Sequence, residues 1–176
     1  MPGLLCRFKQ DKAGIGAVEF ALIVPFMLLA MLGSFQVFTL ARARMLTVAA
    51  ARNLADLISQ QDSVTSSELA DFCKGAKLSL LPLAGATFNA SSASVTYSNN
   101  IRKISWTDTS CGTVPDIANA ANEATSVTPV AGDSAVVVSA SFAYVSPLTF
   151  PLSLNMTFVV TALARPRSGT AVTYGS

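Results

Sequence analysis

From Phe20 to Ala41 the chain carries no charged residue, reading FALIVPFMLLAMLGSFQVFTLA. As a helix rising 1.5 Å per residue, about 22 residues span roughly 33 Å, enough for the hydrocarbon core of a bilayer. A core helix of a soluble protein this long would show a polar face, yet only Ser34, Gln36 and Thr39 interrupt the run, all near its far end. The pattern predicts a transmembrane helix over about residues 20–41. The competing reading is a cleaved secretory signal, whose apolar core is shorter, about 7–15 residues, and ends at a small-residue cleavage site. Here the run continues without a break into LARARMLTVAAARNLADLIS. The helix is therefore expected to extend to about Gln61. Beyond the span, Met45, Val48, Ala49, Arg52, Leu57 and Ile58 recur at mixed helical spacings among alanines. That roughly amphipathic stripe is expected to pack on the chain's own sheet, with neighbouring subunits as the alternative.

Further along, Thr65-Ser66-Ser67-Glu68 has the form of a capping box, in which residue one and residue four satisfy each other's backbone N–H. It predicts a helix over about 66–77 carrying Leu69, Phe72 and Cys73. Val95 and Tyr97 alternate with polar residues, Ser98-Asn99-Asn100 is a turn candidate, and Ile104 and Trp106 share a face, which together read as a hairpin. Residues 113–133 read mainly as loop with room for one helical turn. Two clearer strands follow: Val136, Val138, Ala140, Phe142 and Tyr144 fall on one face of 135–145, and Leu154, Met156, Phe158, Val160 and Ala162 on one face of 154–164. Pro147 and Pro151 lie between them, in a loop rather than a ladder. The expected fold class is α+β: a long N-terminal transmembrane helix running into a small domain of four antiparallel strands packed on helices. The expected boundaries are a basic leader, 1–14; the helix, 15–61; the α+β domain, 62–167; and a polar, flexible tail, 168–176.

Composition agrees with an anchored chain. Of 176 residues 51% are hydrophobic and 12% charged, about half the charged share of a typical soluble protein. The net charge of +2 is too small to point to a nucleic-acid partner. Histidine is absent, which removes the commonest general base and metal ligand. Asp56, Asp62, Glu68, Asp71, Asp108, Asp116, Glu123 and Asp133 form no recognisable catalytic pair, so neither an enzyme, nor a cofactor, nor a metal site is expected. Arg7, Lys9 and Lys12, opposed only by Asp11, precede the apolar run and favour a cytoplasmic N-terminus. Arg42 and Arg44 weaken that bias, although a long C-terminal part is translocated despite nearby charge. Cys73 and Cys111 then fall on the extracytoplasmic side. An oxidising compartment permits a disulfide there, closing a loop of about 38 residues and contributing about 2–4 kcal/mol. Two unpaired buried thiols are the alternative. Cys6 stays on the reduced side or leaves with the leader.

Glu19 is the residue that changes the functional picture. A carboxylate costs about 2.5–3.5 kcal/mol at the bilayer centre; at the edge it is simply solvated. The local sequence, Gly14-Ile15-Gly16-Ala17-Val18-Glu19-Phe20, offers a sharper reading. A cut after Gly14 would put a new ammonium on Ile15, four residues before Glu19 and adjacent to it on a helix. Cation and carboxylate, within one chain or between neighbours, would then offset each other's cost in lipid. Pro25, inside the span, removes the backbone bond to the carbonyl of Ala21 and is a candidate kink.

This arrangement resembles the class III signal of type IV pilin-like proteins: a basic leader, a glycine, four residues, then glutamate before an apolar helix. The wording AGIGAVEFALIVPFMLLAMLGSFQVFTLARARMLTVAAARNLADL, over about residues 13–57, is similar to the TadE/TadG-like family of the tight-adherence (Tad, Flp) pilus system. AVVVSASFAYVSPLTFPLSLNMTFVVTALARPR is similar to the far end of that family, more loosely. The resemblance implies a minor pseudopilin with a pilin-like fold, processed after Gly14 by a prepilin peptidase. It also implies a single-pass place in the bacterial inner membrane, the C-terminal domain facing the periplasm. The partners it implies are other pilins and pseudopilins, an inner-membrane assembly platform and the lipid bilayer. An unprocessed, membrane-anchored binding module is the alternative.

Overall fold

A computed structural model describes residues 13–81, 83 and 87–175. The basic stretch with Cys6, Arg7, Lys9, Asp11 and Lys12 lies outside the described residues. One helix, α1, occupies Ala13–Ser59, 47 residues without interruption, or about 70 Å of rod. It passes through Pro25 and ends just short of the expected Gln61, where Gln60 and Gln61 donate their backbone N–H to Leu57 and Ile58.

The two halves of α1 meet different surroundings. In the first, the large apolar side chains stand exposed, among them Phe20 at 68%, Phe26 at 73% and Met31 at 70%. In the second, Ala43, Thr47, Ala50, Ala51, Leu54, Ala55 and Ile58 are buried, the three- and four-residue recurrence of one helix face. Five residues of the expected stripe lie elsewhere: Met45 and Leu57 are exposed at 64% and 41%, and Ile58 alone is fully buried. Steric fit explains the difference. A face made mostly of methyl-sized side chains lets the rod lie close on a sheet, whereas long side chains hold it off. Thr47 joins this face because its hydroxyl donates to the carbonyl of Ala43 at 2.8 Å.

After α1 come β1 (Ser63–Val64) and α2 (Ser66–Ser79). The capping box forms: Glu68 N–H donates to Thr65 Oγ1 at 3.3 Å, and Thr65 N–H donates to Glu68 Oε2 at 2.9 Å. Leu69, Cys73 and Ala76 are the buried residues of α2. The main sheet holds β2 (Thr87–Ser98), β3 (Ile101–Cys111), β4 (Ser134–Tyr144) and β5 (Met156–Ala164), in the order β3-β2-β4-β5, all antiparallel. Asn99 and Asn100 make the β2–β3 turn with φ of 50° and 63°, the left-handed region that asparagine tolerates and that two-residue hairpins require. β5 starts at Met156, so Leu154 belongs to the preceding connection.

β4 is central and buried on both faces. Val136, Val138, Ala140, Phe142 and Tyr144 join the α1 and α2 core as their alternation predicts, and Ala135 and Val137 pack on the other side against Ile117, Ala120 and Ala124. These last residues come from Pro115–Ser126, expected mostly as loop, which instead forms a 3-10 turn, the short helix α3 (Ala120–Glu123) and a second 3-10 turn. An Ala-rich stretch this short has little helical stability of its own; its structure comes from covering the second face of the sheet.

Residues 168–176, expected as a flexible tail, carry β6 (Thr173–Tyr174), which pairs in parallel with β1. Val172 is buried, its carbonyl accepts from Trp106 Nε1 at 2.8 Å, and Tyr174 donates its hydroxyl to Asp108 Oδ2 at 2.8 Å. That bond to the carboxylate holds the Tyr174 phenol above its ordinary range. Val172→Ala is expected to lower unfolding stability by about 1–3 kcal/mol, read by denaturation in detergent through Trp106, the single tryptophan of the chain. A phenol whose pKa is higher in the folded state contributes stability fully below about pH 10 and loses it as pH rises through the folded value. Tyr174→Phe should therefore flatten the stability profile in that alkaline window only.

Candidate functional site

The exposed half of α1 is a sleeve with marked ends. Gly14 and Ile15 lie within the helix, and Glu19 is exposed about one turn further on. No charged residue follows until Arg42, which is exposed, as is Arg44. Glu19 and Arg42 are thus separated by about 35 Å of helix axis, close to the roughly 30 Å of a hydrocarbon core plus its boundaries. From Gly16 onward the helix is long and apolar enough to cross a membrane, and its most apolar window is wholly unburied by the rest of the molecule. This is what a single-pass membrane protein needs. The helix continues unbroken through Pro25, whose missing N–H leaves the Ala21 carbonyl without its usual donor.

Near the far end of the sleeve the molecule folds back on itself. Gln36 is fully buried. Its amide Nε2 donates to the carbonyls of Leu148 at 2.9 Å and Leu152 at 2.7 Å, with that of Phe150 at 3.3 Å, and its Oε1 accepts from Leu152 N–H at 3.3 Å. Three residues on, Thr39 Oγ1 and the Tyr144 hydroxyl share a bond of 2.9 Å. The β4–β5 connection, 145–155, thereby wraps one amide side chain of α1. Ser146 secures its base, donating its N–H to Asn155 Oδ1 at 2.9 Å and its hydroxyl to the Leu148 carbonyl at 2.7 Å. In the sequence Gln36 counts only as a polar interruption. The signal that could have singled it out is its cost: a primary amide in an apolar run needs partners for two N–H groups and one oxygen, and no neighbour on the helix supplies them.

At the β3 edge of the sheet, within the same core that α1 and α2 share, the structure joins Cys73 of α2 to Cys111 at the end of β3 as a disulfide, with Cα atoms 5.6 Å apart. Gly112 follows with φ +106°, and a Cβ there would meet the Asn89 side chain at 2.5 Å, so glycine is required. Ser91 Oγ donates to the Gly112 carbonyl at 3.0 Å and accepts from Val114 N–H at 2.8 Å, fixing the chain after the disulfide.

Several acids considered for chemistry are engaged structurally. Glu68 caps α2, Asp71 pairs with Lys74 at 2.7 Å, Asp108 accepts from Ser110 and Tyr174, and Asp133 accepts from Val130 N–H at 3.0 Å. Among the described residues, no group of three or more His, Cys, Asp or Glu side chains is placed to hold a metal ion.

Residues 14–56 match the family model of the TadE-like protein. No curated protein matches the chain, and no solved structure matches it.

The family match ends three residues before α1 does, so the sheet and its disulfide lie beyond it. Reducing the Cys73–Cys111 bond, or replacing both with serine, is expected to lower stability by about 2–4 kcal/mol, seen as a shifted denaturation midpoint with and without reductant.

Proposed function

We propose, from a chain whose N-terminal helix matches the TadE-like family model over residues 14–56, that it takes part in assembly of a Tad pilus as a single-pass minor pseudopilin. The observation that carries this reading is the uncovered apolar sleeve with one carboxylate, Glu19, at its start. Water does not tolerate so much contiguous exposed apolar surface around a rod. Lipid accepts it, and so does a bundle of like helices.

In this reading a prepilin peptidase cuts after Gly14. The ammonium of Ile15 then lies one helical turn from Glu19. A neighbouring subunit's ammonium can take the same place, so the ion pair sets the axial register between helices at a depth where an unpaired charge is costly. The N-terminus faces the cytoplasm and the disulfide-bonded domain faces the oxidising side of the inner membrane. The partners are other pilins and pseudopilins of the same system and its membrane assembly platform. The role is structural rather than enzymatic, in keeping with acids committed to caps, turns and strand contacts.

The test is the mass of the protein extracted from membranes of its own host. Loss of residues 1–14 supports processing, and an intact N-terminus contradicts it, leaving a membrane-anchored binding module. Glu19→Ala is expected to leave membrane insertion unchanged while reducing the chain recovered in assembled pilus complexes. Equal loss of insertion and assembly contradicts a pairing role for Glu19.

A further inference from the structure

Among the described residues, the β4–β5 connection is where the domain reaches back along the apolar sleeve to Gln36. Gln36 lies five residues inside Ala41, the last residue of the uncharged run, which is about 7–8 Å along the axis. It lies six residues, about 9 Å, from exposed Arg42, a side chain suited to the phosphate level. Because the loop backbone is hydrogen-bonded to Gln36 itself, the loop shares that depth wherever the helix sits.

Its chemistry fits the depth. No residue from Ser134 to Ala164 is charged. Around the loop, Val145, Phe150, Leu152 and Met156 point outward, Phe150 being 66% exposed. A backbone turn inside lipid must have its polar groups satisfied by the protein, and the Gln36 amide does this for the carbonyls of Leu148 and Leu152 and for the Leu152 N–H. In a water-exposed loop these groups would be hydrated without help, and burying an amide to serve them would gain little.

We propose that residues 145–156 form a second membrane contact, an apolar loop set beside the span in the leaflet on the domain's side and held at its depth by Gln36. The occupant of this surface is the acyl and headgroup boundary of the bilayer, since the loop is continuous with the exposed sleeve of α1 and its depth lies within the roughly 5–10 Å typical of interfacial apolar insertions. The domain is thereby fixed at two points, which restrains its tilt and rotation about α1. This goes beyond the pilus reading and rests only on α1 crossing a membrane.

The experiment uses the full chain reconstituted in lipid nanodiscs. With Cys6→Ala as background and Cys73 and Cys111 paired, spin labels are placed through Phe150→Cys, Leu152→Cys, Val130→Cys and Met27→Cys. Collision rates with oxygen, enriched in lipid, and with a water-soluble nickel chelate are then compared. The oxygen-to-nickel ratio at Phe150→Cys and Leu152→Cys is expected to exceed that at Val130→Cys several-fold and to approach that at Met27→Cys. Gln36→Leu should return the loop labels towards the Val130→Cys ratio without altering Met27→Cys. Ratios at the loop equal to Val130→Cys, with a lipid signature at Met27→Cys, overturn the proposal alone. Low collision with both reagents at the loop overturns it in favour of coverage by a second copy. An aqueous signature at Met27→Cys overturns the membrane reading together with it.

Discussion

The structure depends on one constraint, the continuity of α1. A single rod must present an apolar sleeve to its surroundings along one half and a close-fitting face to a sheet along the other. No loop separates the two tasks, so the angular position of each face is set by helical geometry. The sheet-facing stripe, Ala43 to Ile58, fixes how α1 is rotated against the domain. That rotation in turn fixes where Gln36 points, because it lies seven residues, close to two turns, before Ala43 on the same side of the rod. The domain then follows the rod in both depth and direction.

Small residues make this arrangement tight. Alanines at 43, 50, 51 and 55 on α1 face Ala140, Ala162 and Ala164 among the strand residues of the same core. Between them the larger Phe142, Tyr144 and Ile58 fill the remaining volume. Packing of this kind gains from dispersion and close approach rather than from bulk hydrophobicity. Further out the domain is bound by separate devices: the capping box on α2, the disulfide at the end of β3, and the short parallel pairing of β1 with β6. Each closes a chain segment that the central sheet does not itself hold.

The elements legible in the sequence are those with a local signature. An uncharged run marks the exposed part of α1; Thr65 and Glu68 mark the start of α2; paired asparagines mark the β2–β3 turn; alternation marks β4 and the α1-facing side of β5. The features that were not legible depend on partners distant in the chain. The alanine face of α1 carries a weak hydropathy signal, and Met45 and Leu57 outweigh it although they point away. Pro115–Ser126 folds because Ala135 and Val137 need a cover. β6 forms because Trp106 and Asp108 offer bonds to a tail that is otherwise polar. Gln36 meets residues more than a hundred positions away, and nothing near it in sequence announces them. Glu19 draws notice in the sequence because an isolated charge at an apolar boundary is costly, and the structure places it exposed at the start of the sleeve.

The central claim is that the sleeve and the sheet-facing stripe belong to one unbroken helix. The most direct measurement is a pulsed electron–electron distance between spin labels at two exposed positions, Val18→Cys and Arg52→Cys, in the full chain reconstituted in lipid. Thirty-four residues of helix give about 51 Å, and the account predicts a single narrow distribution near that value, shortened by a few ångströms at most by bending at Pro25. A broad distribution, or one centred below about 40 Å, would mean that the rod breaks between membrane and domain, and would contradict the account.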